Sequence, residues 1–378
     1  MKKIFSIFCL GAFLTIQAAA QSLPLPPSGD NQKSVVTQYI GSLAHVIVKY
    51  NSPDVTGPNG ESRKDQIWGQ LVPYGLNVVN FGLGNPSPWR VGANENTIIK
   101  FSHDVMIEGK PLEAGKYGLH LIVDETEPWT WIFSHNSSAW GSYFYDESED
   151  ALRVQVEPTD HPYTEWLTFD FVDRGAKSAT VAMKWENKMV PMRIEVADIN
   201  ELYVETFSKE LQGSTGFNHQ NLVAASQFCL QNETNLDEAL AWADQAISAP
   251  FIGVKNFSTM QNKGSVLMKM GKTSEAEEIM MEAVHHAATT PFEIHGFGRQ
   301  LIGMGMKDKA LDIFKYNHER FEGAWPTNVG MARGLSAVGQ YVEALKYAEL
   351  AYEEAPDKLN KDGMKSAIEK LKEKQDIN

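Results

Sequence analysis

Apolar and polar positions follow two different periods along this chain, and the change falls near Asn200. From about Lys33 to Ala197 the pattern alternates with a period near two. It comes in short runs rich in β-branched and aromatic residues, separated by turn residues. The runs are Val46 to Tyr50, Thr97 to Phe101, Thr130 to Phe133, Leu152 to Val156, Trp166 to Phe171 and Thr180 to Trp185. No helical stretch interleaves with them, so this half is expected to be an all-β antiparallel sandwich. Glu108-Gly-Lys-Pro111 is expected to join Val105-Met-Ile107 to the run from Tyr117 to Val123 as a hairpin. Seven of the nine tryptophans fall here, at positions 68, 89, 129, 131, 140, 166 and 185, to fill the core or stiffen its loops.

Beyond Asn200 the period becomes helical and an internal repeat emerges. Gly264, Gly298 and Ala332 stand 34 residues apart, as do Leu267, Leu301 and Leu335. Gly271, Gly305 and Gly339 keep the same spacing, and so do Ala276, Ala310 and Ala344. An imperfect earlier copy runs through Leu230, Ala239, Ala243 and Ala246 to Pro250. A 34-residue helix–turn–helix unit with small residues at these places resembles the tetratricopeptide repeat, although the repeat's signature tryptophan and tyrosine are missing. Small residues let paired helices approach closely, and the glycine ends the first helix. Pro356 fits the repeat's terminal proline, and the Lys- and Glu-rich stretch from Asp357 to Asp376 reads as a polar capping helix. The expected fold is therefore multidomain, a β-sandwich over 33–200 followed by all-α, tetratricopeptide-like repeats over 205–378.

Within the β half, an ordered set of motifs carries a second resemblance. Trp68-Gly-Gln-Leu-Val-Pro-Tyr-Gly75 precedes Trp89-Arg-Val-Gly-Ala-Asn-Glu-Asn-Thr97. Asp104-Val-Met-Ile-Glu-Gly-Lys110, Leu112-Glu-Ala-Gly-Lys-Tyr117 and Trp140-Gly-Ser-Tyr143 follow. Together they resemble the domain of unknown function 2911 family, exported bacterial proteins often followed by tetratricopeptide-like helices. The resemblance runs from about Val46 to Glu157 and fades towards Ala197. This chain departs from the family where Leu76 to Pro88 intervenes between Pro-Tyr-Gly and Trp-Arg. The family implies an exported protein and supplies no activity.

Composition adds limits. Lys and Arg number 34 against 48 Asp and Glu, a formal charge of −14, so no nucleic-acid partner is expected. Lys2 and Lys3 precede the apolar run Ile4 to Leu14, and Ala18 and Ala20 satisfy the small-x-small pattern of a signal peptidase site. The run is short for a membrane span, so residues 1–20 are expected to be a signal peptide and the mature protein to be periplasmic or secreted, with no transmembrane segment. Residues 21–32 read as a Pro-rich leader. Of the two cysteines, Cys9 would leave with the signal, and Cys229 sits in an apolar helical stretch as a buried, inert thiol.

No motif for a cofactor, metal or catalytic group is present: His-Glu-x-x-His, Gly-x-Ser-x-Gly and a phosphate-cradling glycine loop are all missing. His285, His286 and His295 cluster in sequence, but Pro291 breaks the helix between them and no Cys or acidic partner shows metal spacing. The candidate small-ligand constellation is Arg63, Trp89, Arg90, Asn94 and Glu95, with His120 and Trp140 beside it. Arg90 offers a planar fork for carboxylate or phosphate, Asn94 tolerates a left-handed backbone, and a tryptophan face can stack on a sugar or cation. The structural alternative pairs Arg90 with Glu95 and uses Trp89 to plug the sandwich end.

In the helical half, the residue after the Gly264/Gly298/Ala332 position would face the repeat's groove. That places Ser265, Arg299 and Arg333 there, with Gln261, His295 and Val329 four residues earlier. His295, Arg299 and Arg333 form a candidate positive patch for an acidic peptide or a carboxylate. The alternative has both arginines neutralised by Glu293, Glu319 or Glu343. The expected function is that of an exported, non-enzymatic binding or scaffold protein, its repeats holding a protein or peptide and its β domain a small polar ligand. The alternative is an envelope hydrolase acting on glycan or peptide near Trp89 to Glu95.

Overall fold

The computed structural model describes residues 31–378, so the expected signal peptide and nearly all of the Pro-rich leader lie outside the described residues. The chain divides into two compact units between Ile199 and Asn200.

The first unit is antiparallel β throughout its strand ladders. It opens with β1 (Gln32–Ile40), β2 (Ala44–Ser52), the short pair β3 (Asn77–Val78) and β4 (Pro86–Ser87), and β5 (Thr97–Phe101). Then come β6 (Val105–Ile107), β7 (Lys110–Leu112), β8 (Gly115–Ile122) and β9 (Trp129–Ser134). β10 (Asp150–Val156) and two longer strands, β11 (Thr159–Arg174) and β12 (Ser178–Glu195), finish it. One sheet has the order β1-β2-β5-β8-β9-β10, a second β11-β12-β6-β7, and β3 pairs with β4 alone.

Alternation explains the layering. Along β2, Ala44, Val46, Val48 and Tyr50 are buried while His45, Ile47 and Lys49 between them are more exposed, so one face of the sheet is apolar. That face meets the second sheet through Tyr50 and Trp131, whose rings lie 5.0 and 6.3 Å from Phe169. The Trp131 indole also donates to the Pro191 carbonyl at 3.2 Å. Trp68, Trp89, Trp129 and Trp185 form a ring cluster, with Trp89 stacked on Trp185 at 5.7 Å and 16°.

One hairpin differs from the sequence expectation. Glu108 and Gly109 both have positive φ (47° and 77°), as a two-residue hairpin turn needs, and they close β6 on β7 rather than on residues 117–123. A two-residue turn pairs the strand with the residues immediately after it. The run from Tyr117 therefore goes to the other sheet, where β8 lies between β5 and β9.

The second unit is helical: α1 (Ile199–Glu210), α2 (His219–Gln231), α3 (Leu236–Ser248), α4 (Phe257–Lys269) and α5 (Thr273–His285). It continues with α6 (Pro291–Gly303), α7 (Lys307–Arg320), α8 (Trp325–Ala337), α9 (Tyr341–Glu353) and α10 (Lys358–Lys372). The helices α4, α6 and α8 begin at 34-residue intervals, as do α5, α7 and α9. This is the tetratricopeptide-like arrangement, and three identical caps enforce it. Gly271, Gly305 and Gly339 take φ near +80°, and the next residue's amide returns to the carbonyl of Leu267, Leu301 or Leu335. Close approach explains the other small residues: a Cβ on Gly298 would lie 2.5 Å from the Phe314 ring, and one on Gly264 2.8 Å from the Met280 side chain. Cys229 is fully buried, and burial pushes its thiol up to about 11. No helix among the described residues is long and apolar enough to cross a membrane.

Candidate functional site

The Trp89 to Thr97 segment is a loop held in an unusual conformation. Trp89 exchanges backbone hydrogen bonds with Leu121, which anchors the loop to β8. Past that anchor, Val91 and Asn94 both have left-handed backbones, with φ of 53° and 57°. Asn94 bears this readily, whereas a β-branched residue does so only under external restraint. The restraints are visible: the Thr97 hydroxyl donates to the Val91 carbonyl at 2.7 Å, and the Ala93 amide donates to Asn51 at 3.2 Å.

Arg90 is one of these restraints. Its Nη1 donates to the Asn94 carbonyl at 2.7 Å, its guanidinium lies 5.1 Å over the Tyr143 ring, and it packs against Gly141. No Arg90–Glu95 ion pair forms. Glu95 instead accepts from Lys33 at 2.9 Å and Asn51 at 3.0 Å, contacts that hold its carboxyl below the usual range. His120, only 2% exposed, lies 3.0 Å from the Ser142 hydroxyl and edges onto Tyr145. Burial first, and the Arg90 charge second, lower its pKa to about 4, so it is neutral at physiological pH. Arg63 pairs with Glu61 at 3.0 Å, and no hydrogen bond or ion pair joins it to Arg90 among the described residues. Trp140 is half-exposed. The structure thus gathers Arg90, Asn94 and His120 around the residue 140–145 loop, places Trp89 in the tryptophan cluster, and leaves Glu95 and Arg63 with other partners.

In the helical unit, His295, Arg299 and Arg333 do come together. They line a groove of about 330 Å³ between α6, α8 and α10, with Phe292, Trp325 and Val329. Leu359 and Lys370 of α10 and Ile377 beyond it complete the walls. Ser265 does not join them; it lines a separate, methionine-rich pocket of about 270 Å³ between α4 and α7. Gln261 bonds to Gln300 at 3.4 Å.

The groove's electrostatics are unbalanced. No carboxylate lies within ion-pair distance of Arg299 or Arg333 among the described residues: Glu293 caps α6 through Thr290, and Glu343 pairs with Lys346. Arg333 is half-buried, and burial together with the Arg299 charge lowers its pKa, against a weaker opposing pull from Asp376. His295 Nδ1 is buried without a hydrogen-bond partner. Burial, then Arg333 and Arg299, bring its pKa down to about 4, so this nitrogen offers a lone pair rather than a charge. Two cations and an aromatic wall of Phe292 and Trp325 therefore face one space, while His295 Nδ1 is turned against Gly330. Lys370 and Leu359 escaped the sequence reading because α10 follows the repeats without sharing their marker residues, and Trp325 because its equivalents at the start of α6 and α4 are Pro291 and Phe257.

Residues 31–194 match the family model described as a protein of unknown function, DUF2911, so the resemblance carried by the tryptophan motifs extends through most of β12. No curated protein matches the chain. Among solved structures, the helical part is similar to YrrB, described as a TPR protein with an unusual peptide-binding site, at 18% identity. That match covers 45% of this chain and 87% of that one, with a TM-score of 0.28. MamA from Desulfovibrio magneticus RS-1 matches at 14% identity over 43% of this chain and 92% of its own, TM-score 0.28. A tetratricopeptide repeat protein from Parabacteroides merdae matches at 17% identity over 46% and 78%, TM-score 0.22.

Proposed function

We propose that the protein is a non-enzymatic scaffold whose helical unit binds an acidic polypeptide segment in the α6–α8–α10 groove. The observation that carries this reading is the pair Arg299 and Arg333, adjacent like charges with no carboxylate in ion-pair reach, inside a protein with an excess of acidic residues. Like charges held together and partly desolvated are costly, and a ligand carboxylate removes that cost through charge-assisted hydrogen bonds. The Phe292–Trp325 wall suits an apolar side chain next to the acid.

Selection from a displayed peptide library tests this directly. The wild-type chain should enrich Asp- and Glu-containing sequences, and Arg299→Glu/Arg333→Glu, with an unchanged melt, should lose them. Selected peptides without acidic bias, or equal capture by the double variant, would refute the groove. In the β unit, Arg90 braces the strained loop through the Asn94 carbonyl, and His120 is engaged with Ser142 and Tyr145. Export remains part of the proposal and rests on the signal-like residues 1–20: N-terminal sequencing of envelope material should begin at Gln21, and an intact Met1 would refute it.

A further inference from the structure

The residues after α10 turn back onto the groove. Lys374 has φ of 57° and occupies the left-handed cap position that glycine takes in the three repeats. Its amide and that of Gln375 return to the Leu371 and Lys370 carbonyls, which reverses the chain. Asp376 then accepts a 2.8 Å hydrogen bond from the Ser336 hydroxyl, and the Ile377 amide donates to that same oxygen at 3.1 Å. Asn378 Nδ2 donates to the Arg333 carbonyl at 3.1 Å, and Arg333 Nη1 reaches Asn378 Oδ1 at 3.4 Å. Ile377 packs on the helical core and lines the groove.

Ser336 is 1% exposed, and its equivalents 34 and 68 residues earlier are Ile302 and Met268. A buried hydroxyl thus replaces an apolar residue only where this segment arrives, and both of its hydrogen bonds are spent on the segment.

We propose that residues 375–378 fill the Ser336 end of the groove from within the chain, leaving Ile377 as a wall of the space that stays open, and that the groove's external ligand is a peptide with the same acid-then-aliphatic order that displaces them. This rests on the acidic-peptide reading above and narrows it. Ser336 reads the carboxylate and the following amide, the wall beside Met364 and Ala367 takes the aliphatic side chain, and Arg333 holds the next residue. The segment leaves Arg299 without a carboxylate, so an external acidic peptide gains a contact that the in-chain segment lacks. A tether this short supplies an effective concentration of order millimolar, so a segment with an intrinsic dissociation constant near 0.1 mM weakens external binding about tenfold.

The probe is a fluorescein-labelled Glu-Lys-Gln-Asp-Ile-Asn peptide, followed by polarisation against the full chain and against the chain ending at Lys374. The shortened chain should bind about tenfold more tightly, and adding Ser336→Ala to it should weaken that binding. The full-length variant Ile377→Asp guards against misfolding of the shortened form and should bind like it. Equal affinity of full and shortened chains, or no binding to either, overturns the proposal. A poly-Glu peptide separates the two readings. If it binds full and shortened chains equally and is lost in Arg299→Glu/Arg333→Glu, the groove stands and the in-chain occupant falls. If it binds neither chain, both fall.

Discussion

Arg90 and Glu95 show how side chains only five residues apart come to have unrelated energetics. Arg90 makes a charge-assisted hydrogen bond to the Asn94 carbonyl, stacks over Tyr143 and fills the space beside Gly141. Such a hydrogen bond contributes about 1.5–3 kcal/mol, and a cation–π contact adds roughly 0.5–1 kcal/mol. Arg90→Ala should therefore destabilise the β unit by about 2–3 kcal/mol in a denaturant melt. Glu95 sits in a pair whose side chains are 39% and 68% exposed, so Glu95→Gln should change stability by less than about 1 kcal/mol. Comparable losses for both variants would mean that the two share an interaction the geometry does not show. These contacts were illegible in the sequence because Arg90's acceptor is a backbone carbonyl, that of Asn94, and its other neighbours, Gly141 and Tyr143, lie about 50 residues away in a loop that only the fold brings over.

At the level of elements, three glycines of one repeat have three different physical roles. Gly296 lies in α6 with nothing near its missing Cβ, so Gly296→Ala should stabilise by roughly 0.5–1 kcal/mol through helix propensity. Gly298 has Phe314 at 2.5 Å from that position, so Gly298→Ala forces a core ring to move and should destabilise by about 1–3 kcal/mol. Gly305 is left-handed at the helix end, and Gly305→Ala should cost about 1–2 kcal/mol without any clash. Thermal melts of the three variants should fall in that order of sign. A destabilising Gly296→Ala would show that α6 is more crowded on its exposed side than the geometry allows. The same residues explain why the helical unit was so readable. Repetition fixes register, and register put His295, Arg299 and Arg333 on one face, although it put Ser265 and Gln261 there as well, which lie outside the groove. The segment 375–378 has no repeat counterpart, so its docking on Ser336 left no mark in the spacing. Among the strands, short alternating runs such as β5 were legible to the residue. The lengths of β11 and β12, 16 and 18 residues, were not: neither end of β11 carries a buried residue, and β12 runs on beyond β11 to pair with β6.

For the whole molecule, acid sensitivity is distributed over both units through one buried histidine in each. His120 and His295 have pKa values lowered from 6.5 to about 4, in both cases chiefly by burial. In the unfolded chain each regains its ordinary value and binds a proton that the folded form excludes. Their contribution to stability is therefore complete above pH 6.5 and is lost as pH falls through the window from 6.5 to about 4. The full shift corresponds to roughly 3 kcal/mol per histidine. The uneven placing of tryptophans lets the two units be followed separately: seven report on the β unit, against Trp242 and Trp325 in the helices, whose unfolding is followed by circular dichroism at the helical band. Between pH 7.5 and 4.5 both transitions should move to lower denaturant. His120→Gln should flatten the pH dependence of the fluorescence transition while leaving that of the helical transition in place, and His295→Gln should do the reverse. If either substitution flattens both curves together, the two units do not unfold as separate bodies. If neither flattens anything, the acid sensitivity belongs to carboxylates titrating below the histidine window.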